Sequence, residues 1–170
     1  MWLVGMMGAG KSTVGPELAS RLGLPFVDSD EEIESEAGAR IAEIFQREGE
    51  ESFRRRERRV VDAIGRRAAV VALGGGAIAQ PGASERLSRS GVVVYLRASP
   101  AALLARLGDC ADRPLLAGLT PVEREERLRT LLEARREAYE TARLVVETEG
   151  RPAAEIAAQI ATWLASPEAG

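Results

Sequence analysis

Residues Gly5-Met6-Met7-Gly8-Ala9-Gly10-Lys11-Ser12 match the pattern G-x-x-x-x-G-K-[ST]. The flanks suit it. Trp2-Leu3-Val4 is a short apolar run that reads as a buried strand, and the residues from Lys11 to Leu22 read as a helix stopped by Gly23. A strand, a glycine loop and a helix N-terminus together make an anion cradle. The glycines let the backbone turn its N–H groups inward, and the helix dipole adds partial positive charge at the same point. Lys11 is placed to reach terminal phosphates as a point charge, and the Ser12 hydroxyl to ligate a magnesium ion held between them. The competing reading is a chance match in a chain rich in alanine and glycine. The agreement of pattern with strand–loop–helix context argues against it.

Composition narrows what such a site serves. At 170 residues, with 45% hydrophobic and 29% charged side chains, one α/β domain spanning 1–170 is expected. The formal net charge of −3 gives no general pull toward nucleic acid or an anionic membrane. Lys11 is the sole lysine, so the remaining positive charge is arginine. The absence of histidine removes imidazole ligands and bases, and the single cysteine, Cys110, precludes an internal disulfide. An apolar run starts at Trp2, no secretory signal is recognisable, and no run reaches the ~20 residues of a membrane helix. A reducing, cytoplasmic setting is expected, and nothing apolar and unassigned suggests an obligate dimer, so a monomer is expected.

In the helix from Lys11 to Leu22, Val14, Leu18, Ala19 and Leu22 recur at helical spacing, whereas Pro16 should remove one hydrogen bond. Pro25-Phe26-Val27-Asp28 reads as a strand ending in an acid. Glu31 to Ala37 reads as a short helix closed by Gly38, and Ile41, Ile44 and Phe45 mark a second that ends at Gly49. Glu50 to Ile64 is a strong helix with Phe53, Val60, Val61 and Ile64 as its buried stripe. Residues 69–73 form a continuous apolar run of the kind found in central parallel strands, followed at once by Gly74-Gly75-Gly76. Val92 to Leu96 is a further strand, and Ser99-Pro100 opens a helix to about Leu107. Gly108 to Leu119 reads as a mobile loop, Thr120-Pro121-Val122-Glu123 caps a long helix to about Tyr139, Leu144 to Glu147 is a strand, and Pro152 to Leu164 a last helix. Alternating strands and helices imply a parallel sheet covered on both faces.

Several side chains gather where such a sheet binds ligands. Asp28 and Asp30, two apart at a strand end, project to one side if the chain is extended. One is then placed to hold magnesium-bound water and the other an acceptor hydroxyl; equally, Ser29 or Asp30 is a plain helix cap. Arg54 with Glu57 is either an anion-binding arginine held by an acid or a surface i, i+3 pair worth little. Arg55, Arg56, Arg58 and Arg59 read as a solvated face. The triple glycine allows close approach to backbone N–H groups, more than a turn requires. Arg113, in the loop, reads either as an arginine finger in cis or as a solvent-exposed side chain. Cys110 has no activating neighbour in sequence and reads as a bystander.

Taken together and in this order, these pieces resemble the shikimate kinase family over essentially the whole chain. The resemblance is carried by residues 5–15, by Leu24 to Asp30, by Ile41 to Phe45, by Phe53-Arg54 with Glu57, by Leu73 to Ala77 and by Arg113-Pro114-Leu115-Leu116. It implies a P-loop kinase fold with a five-stranded parallel sheet, like nucleoside monophosphate kinases, with substrate-binding helices at about 31–64 and a lid at about 108–120. It implies ATP-dependent phosphorylation of shikimate at its 3-hydroxyl, within chorismate and aromatic amino-acid biosynthesis. On this likeness Gly8, Ala9, Gly10, Lys11, Ser12 and Thr13 bind the ATP phosphates, Ser12 and Asp28 serve Mg²⁺, and Arg106, Arg113 and Arg151 also meet the nucleotide. Asp30, Arg54, Gly75 and Arg135 hold shikimate, Phe45 and Phe53 wall its ring, and Lys11, Asp30 and Arg113 are the catalytic set. The partners implied are ATP and shikimate, without nucleic acid or membrane.

Two departures stand out. Pro16 replaces a helix former, and the family's Arg-x-Pro-Leu-Tyr segment reads Arg135-Arg136-Glu137-Ala138-Tyr139. Counting back from Tyr139 selects Arg135, with Arg136 as the alternative. Gluconate kinase and a nucleotide-dependent regulator are the competing functions. The set of Asp30, Arg54 and triple glycine argues against both, since a switch needs no acceptor pocket.

Overall fold

The computed structural model describes residues 1–108 and 115–167. Five strands, β1 (Trp2–Val4), β2 (Phe26–Asp28), β3 (Val70–Ala72), β4 (Val93–Arg97) and β5 (Leu144–Glu147), form one sheet in the order β2-β3-β1-β4-β5. Every pairing is parallel. Alternate residues of the inner strands feed opposite faces, as pleating requires. Leu3, Val70, Val94 and Leu96 enter one core with Leu18, Leu103 and Ile160, whereas Trp2, Val4, Val71, Val93 and Tyr95 enter the other with Ile44, Ile64 and Tyr139. Both faces of β1 are therefore buried, which is why the run is apolar at every position.

Helix α1 (Lys11–Leu22) stays continuous through Pro16. The proline faces solvent, so the oxygen it leaves unbonded lies where water can serve it. Its neighbour Gly15 is buried against Phe26. Helix α2 (Ser29–Ala37) begins two residues earlier than the acidic run suggests. Its cap is Asp28, rather than Ser29 or Asp30: Asp28 Oδ1 accepts from the Asp30 N–H at 3.0 Å, while Ser29 is buried and occupied elsewhere. Helix α3 spans Ile41–Ile64 with one break, at Gly49. The backbone there takes φ 78° and ψ 170°, which a side chain would oppose, so two helices meet at this glycine as the sequence suggests. Arg56 and Arg59 of α3 both pair with Glu36, tying α3 to α2; Arg56 is thus not purely solvated.

Helix α4 (Ala83–Ser90) is an addition to the expected set. Only Ala83 and Leu87 of its residues are buried, too few to display a stripe in sequence. Helices α5 (Pro100–Leu107) and α6 (Pro121–Glu140) start at the expected caps. Ser99 Oγ accepts from the Ala102 N–H, and Thr120 and Glu123 form a capping box. Helix α7 (Ala153–Leu164) closes the fold against α1. Residues 109–114, with Cys110, Arg113 and part of the expected lid, lie outside the described residues.

Candidate active site

The phosphate loop joins β1 to α1 and turns on itself, the Ala9 N–H donating to the Met6 oxygen at 3.1 Å. The Lys11 ammonium lies back over the loop, donating to the Gly5 and Met6 carbonyls at 2.8 and 3.1 Å. Ser12 Oγ donates to Asp28 Oδ2 at 3.0 Å, so the end of β2 and the start of α1 present a hydroxyl and a carboxylate side by side. Both are hard oxygen donors suited to magnesium. Among the described residues no group of three or more His, Cys, Asp or Glu could hold a metal ion by itself.

Arg106 bridges two loops. Its guanidinium donates to the Gly8 oxygen at 3.2 Å, to Thr148 Oγ1 at 3.0 Å and to the Thr148 oxygen at 2.6 Å. Arg151 donates to the Glu147 oxygen, to Glu155 and to Gln159 at 2.8–3.0 Å. Both arginines thus line the turn that follows β5, and Arg106 ties that turn to the phosphate loop.

The triple glycine leaves the C-terminal end of β3 and abuts that loop. A Cβ on Gly75 would lie 3.3 Å from the Gly5 oxygen and 3.6 Å from the Met7 nitrogen. Bare glycine is needed because other groups press in. A Cβ on Gly74 would lie 2.5 Å from Asp30 Oδ1, and one on Gly76 would lie 3.3 Å from both terminal nitrogens of Arg54 and 3.5 Å from Arg135 Nη2. Ser29 Oγ accepts from the Gly74 N–H at 2.9 Å and fixes the start of the turn. The N–H groups of Gly75 and Gly76 carry no hydrogen bond among the described residues.

Arg54 is held by Glu57 at 2.8 Å and more loosely by Glu50 at 3.3 Å, with its guanidinium carbon 5.2 Å from the Phe53 ring centre. Its Nε is buried with no partner among the described residues. Glu57 is 3% exposed, so this pair is not a surface i, i+3 bridge. Burial pushes the Glu57 carboxyl above its usual range, and the charges of Arg54 and Arg135 oppose that shift only in part. Phe45 and Phe53 meet at 4.5 Å beside it, joining the two halves of α3 across the Gly49 break.

From α6, Arg135 Nη1 donates to the Gly75 oxygen at 3.0 Å and lies 3.5 Å from Met6 Sδ. Arg136, one residue on, pairs with Glu133 at 3.4 Å with 61% of its side chain exposed. Tyr139 is fully buried, stacks on Tyr95 at 4.7 Å, and donates its hydroxyl to the same Gly75 oxygen at 2.7 Å. That second donor, the burial of Glu57 and the Met6 contact carry no signal in the sequence, because each arises where α3 or α6 crosses the strand ends. The structure thus gathers Lys11, Ser12, Asp28, Asp30, Arg54, Gly75 and Arg135 around two adjoining loops. Arg106 and Arg151 lie to one side of the phosphate loop.

The family model described as shikimate kinase matches residues 7–165. A shikimate kinase of Halorhodospira halophila is 48% identical over 162 residues, covering 94% of this chain and 90% of the relative. One from Chlorobium phaeobacteroides is 44% identical over 155 residues, covering 88% and 78%. The solved structure of shikimate kinase from Acinetobacter baumannii in complex with shikimate superposes with a TM-score of 0.90 at 43% identity, over 96% of this chain and 91% of that one. The chain, with its single parallel five-stranded domain, belongs to the shikimate kinase family.

Proposed function

We propose that the two adjoining loops of this ATP-dependent shikimate kinase divide the reaction between them: the phosphate loop holds ATP, and the triple glycine with its two arginines holds shikimate. One observation carries this reading. Arg54 and Arg135 flank Gly76, whose N–H has no other partner, immediately beside the Gly5–Met7 backbone. Two guanidiniums and an unpaired amide suit a carboxylate, which arginine binds in bidentate fashion. Asp30, against Gly74, is placed to accept from hydroxyls of the same acceptor. Phe45 and Phe53 supply an apolar wall for its ring.

Transfer forms a bond between the acceptor oxygen and the γ-phosphorus and breaks the bond from that phosphorus to the bridging oxygen, which leaves with ADP. The acceptor hydroxyl loses its proton, which Asp30, against Gly74, is placed to receive. A loose phosphoryl-transfer transition state asks chiefly for alignment and charge neutralisation. Lys11 swings from the Gly5 and Met6 carbonyls to the terminal phosphates, and the N–H groups of residues 8–13 take the remaining oxygens. Ser12 and Asp28 would hold Mg²⁺, which when bound neutralises the phosphate charge. Arg106 and Arg151 border the nucleotide, and Arg113, outside the described residues, is assigned to it by the family resemblance. The chain acts as a monomer in the cytoplasm; among the described residues no helix is long and apolar enough to cross a membrane.

Incubation with Mg-ATP and shikimate, gluconate or no acceptor tests the reading. ADP release that depends on shikimate is expected. Equal release without an acceptor, or preference for gluconate, overturns it.

A further inference from the structure

The Gly75 carbonyl receives two donors from α6, Tyr139 Oη at 2.7 Å and Arg135 Nη1 at 3.0 Å, which together occupy its two lone pairs. Tyr139 comes from 64 residues away, is fully buried, and has its ring locked in an almost parallel stack on Tyr95, with 11° between the planes. A buried tyrosine needs some acceptor for its hydroxyl. What sets this one apart is that the acceptor lies in a run of three glycines. Successive glycines rotate their peptide planes at little cost. A trans peptide is planar, so the Gly76 N–H points opposite to the Gly75 carbonyl. Pinning the oxygen therefore aims the N–H, and that N–H belongs to the residue flanked by Arg54 and Arg135.

We propose that Tyr139 is a positioning residue for the acceptor: by holding the Gly75 carbonyl it turns the Gly76 N–H toward the anion that Arg54 and Arg135 bind. The inference rests on assigning the acceptor carboxylate to those two arginines. Arg135 divides its donors between the carbonyl and the ligand, whereas the tyrosine hydroxyl has the carbonyl as its one acceptor among the described residues and no ligand to serve. Burial moves the Tyr139 hydroxyl up to about 12, with Arg135 opposing, so it remains a donor at any pH at which the protein would be assayed.

Tyr139→Phe keeps the ring stack and removes one hydrogen bond. Its KM for shikimate should rise roughly 3- to 10-fold, the range of one ordinary hydrogen bond, while its KM for ATP stays at the parent value. The preference of the parent for shikimate over shikimate methyl ester should shrink in the variant, because the N–H serves the carboxylate. A purely structural tyrosine would lower the melting temperature and leave that preference untouched. An unchanged shikimate KM, an unchanged preference, or equal rises in both KM values overturns the proposal. If Tyr139→Phe does not fold, the Gly76 amide of the parent decides: its NMR resonance should move on adding shikimate, and a static resonance overturns the proposal. Failure of the underlying assignment shows separately, as a parent-like shikimate KM in Arg54→Ala.

Discussion

Glu57 accepts from Arg54 across 2.8 Å while only 3% of the residue is exposed, so the arginine beside the triple glycine is anchored by a buried acid. Burial without a partner would cost such an acid heavily; the pair is tolerated because Arg54 supplies a charge-assisted bond and Arg135 a second favourable charge.

That balance gives a pH dependence. The folded-state pKa of Glu57 lies above its ordinary 4.5, so the native protein binds more protons here than the unfolded chain. The stability tied to this group is present below 4.5 and is lost as pH rises through the raised native value. Glu57→Gln removes that component. The melting-temperature difference, variant minus parent, should become less negative as pH rises through this window, and shikimate-dependent kcat/KM should fall by about 1.5–3 kcal/mol as Arg54 loses its charged partner. A difference that is flat with pH would show that the carboxyl is not raised.

Gly15 offers a prediction on stability alone. A Cβ there would lie 2.2 Å from Phe26 Cε2, with α1 pressed onto β2. Gly15→Ala should cost about 1–3 kcal/mol despite alanine's better helix propensity, the usual toll of overpacking. Adding Phe26→Leu should recover part of it. A melting temperature at or above that of the parent would mean that α1 shifts freely.

Much of this architecture is legible in the chain because local signals agree with global needs. The strand–loop–helix start, the capping box at Thr120 and the break at Gly49 each follow from a residue type at a fixed offset. What the sequence hides depends on tertiary neighbours. Sequence leaves Arg54 and Glu57 open between an anion-binding pair and an exposed helical one; the burial of the glutamate against the glycine turn, with Arg135 near, is visible only in the fold. Ser29 looks like a cap until its hydroxyl is found on the Gly74 N–H, deep in the fold. Tyr139 serves in sequence only as a counting mark. Its stack on Tyr95 requires the crossing of α6 over β4. The role of Arg113 rests on the family resemblance alone.

Lys11 is the sole lysine and already points over the phosphate loop. Lys11→Met should abolish detectable transfer with the melting temperature within a few degrees of the parent, since its contacts are to loop carbonyls rather than core. Turnover near the parent rate would remove the phosphate loop from the mechanism.

Arg113→Ala should lower kcat more than it weakens shikimate binding, because a finger that meets the transferring phosphoryl acts on transition-state charge. Single-turnover rates and shikimate titration separate the two effects. A rise in shikimate Kd with kcat preserved would make Arg113 an acceptor ligand instead.

Arg135 and Arg136 stand about 100° apart on α6, and only one is able to face the glycine turn. Arg135 does, through Gly75 and Met6, while Arg136 lies out with Glu133. Arg135→Ala should therefore raise the shikimate KM sharply, by an amount equivalent to about 2–5 kcal/mol, and Arg136→Ala should stay within about 0.5 kcal/mol, as exposed pairs do. Because Arg135 shares the Gly75 carbonyl with Tyr139, its loss and that of the tyrosine hydroxyl should not add. In a double-mutant cycle with Tyr139→Phe, the second substitution should cost more than it does alone, since nothing then holds the peptide plane. Simple additivity would leave Arg135 binding shikimate but dissolve its link to the turn, and a larger effect at Arg136 than at Arg135 would shift the carboxylate ligand by one residue along the helix.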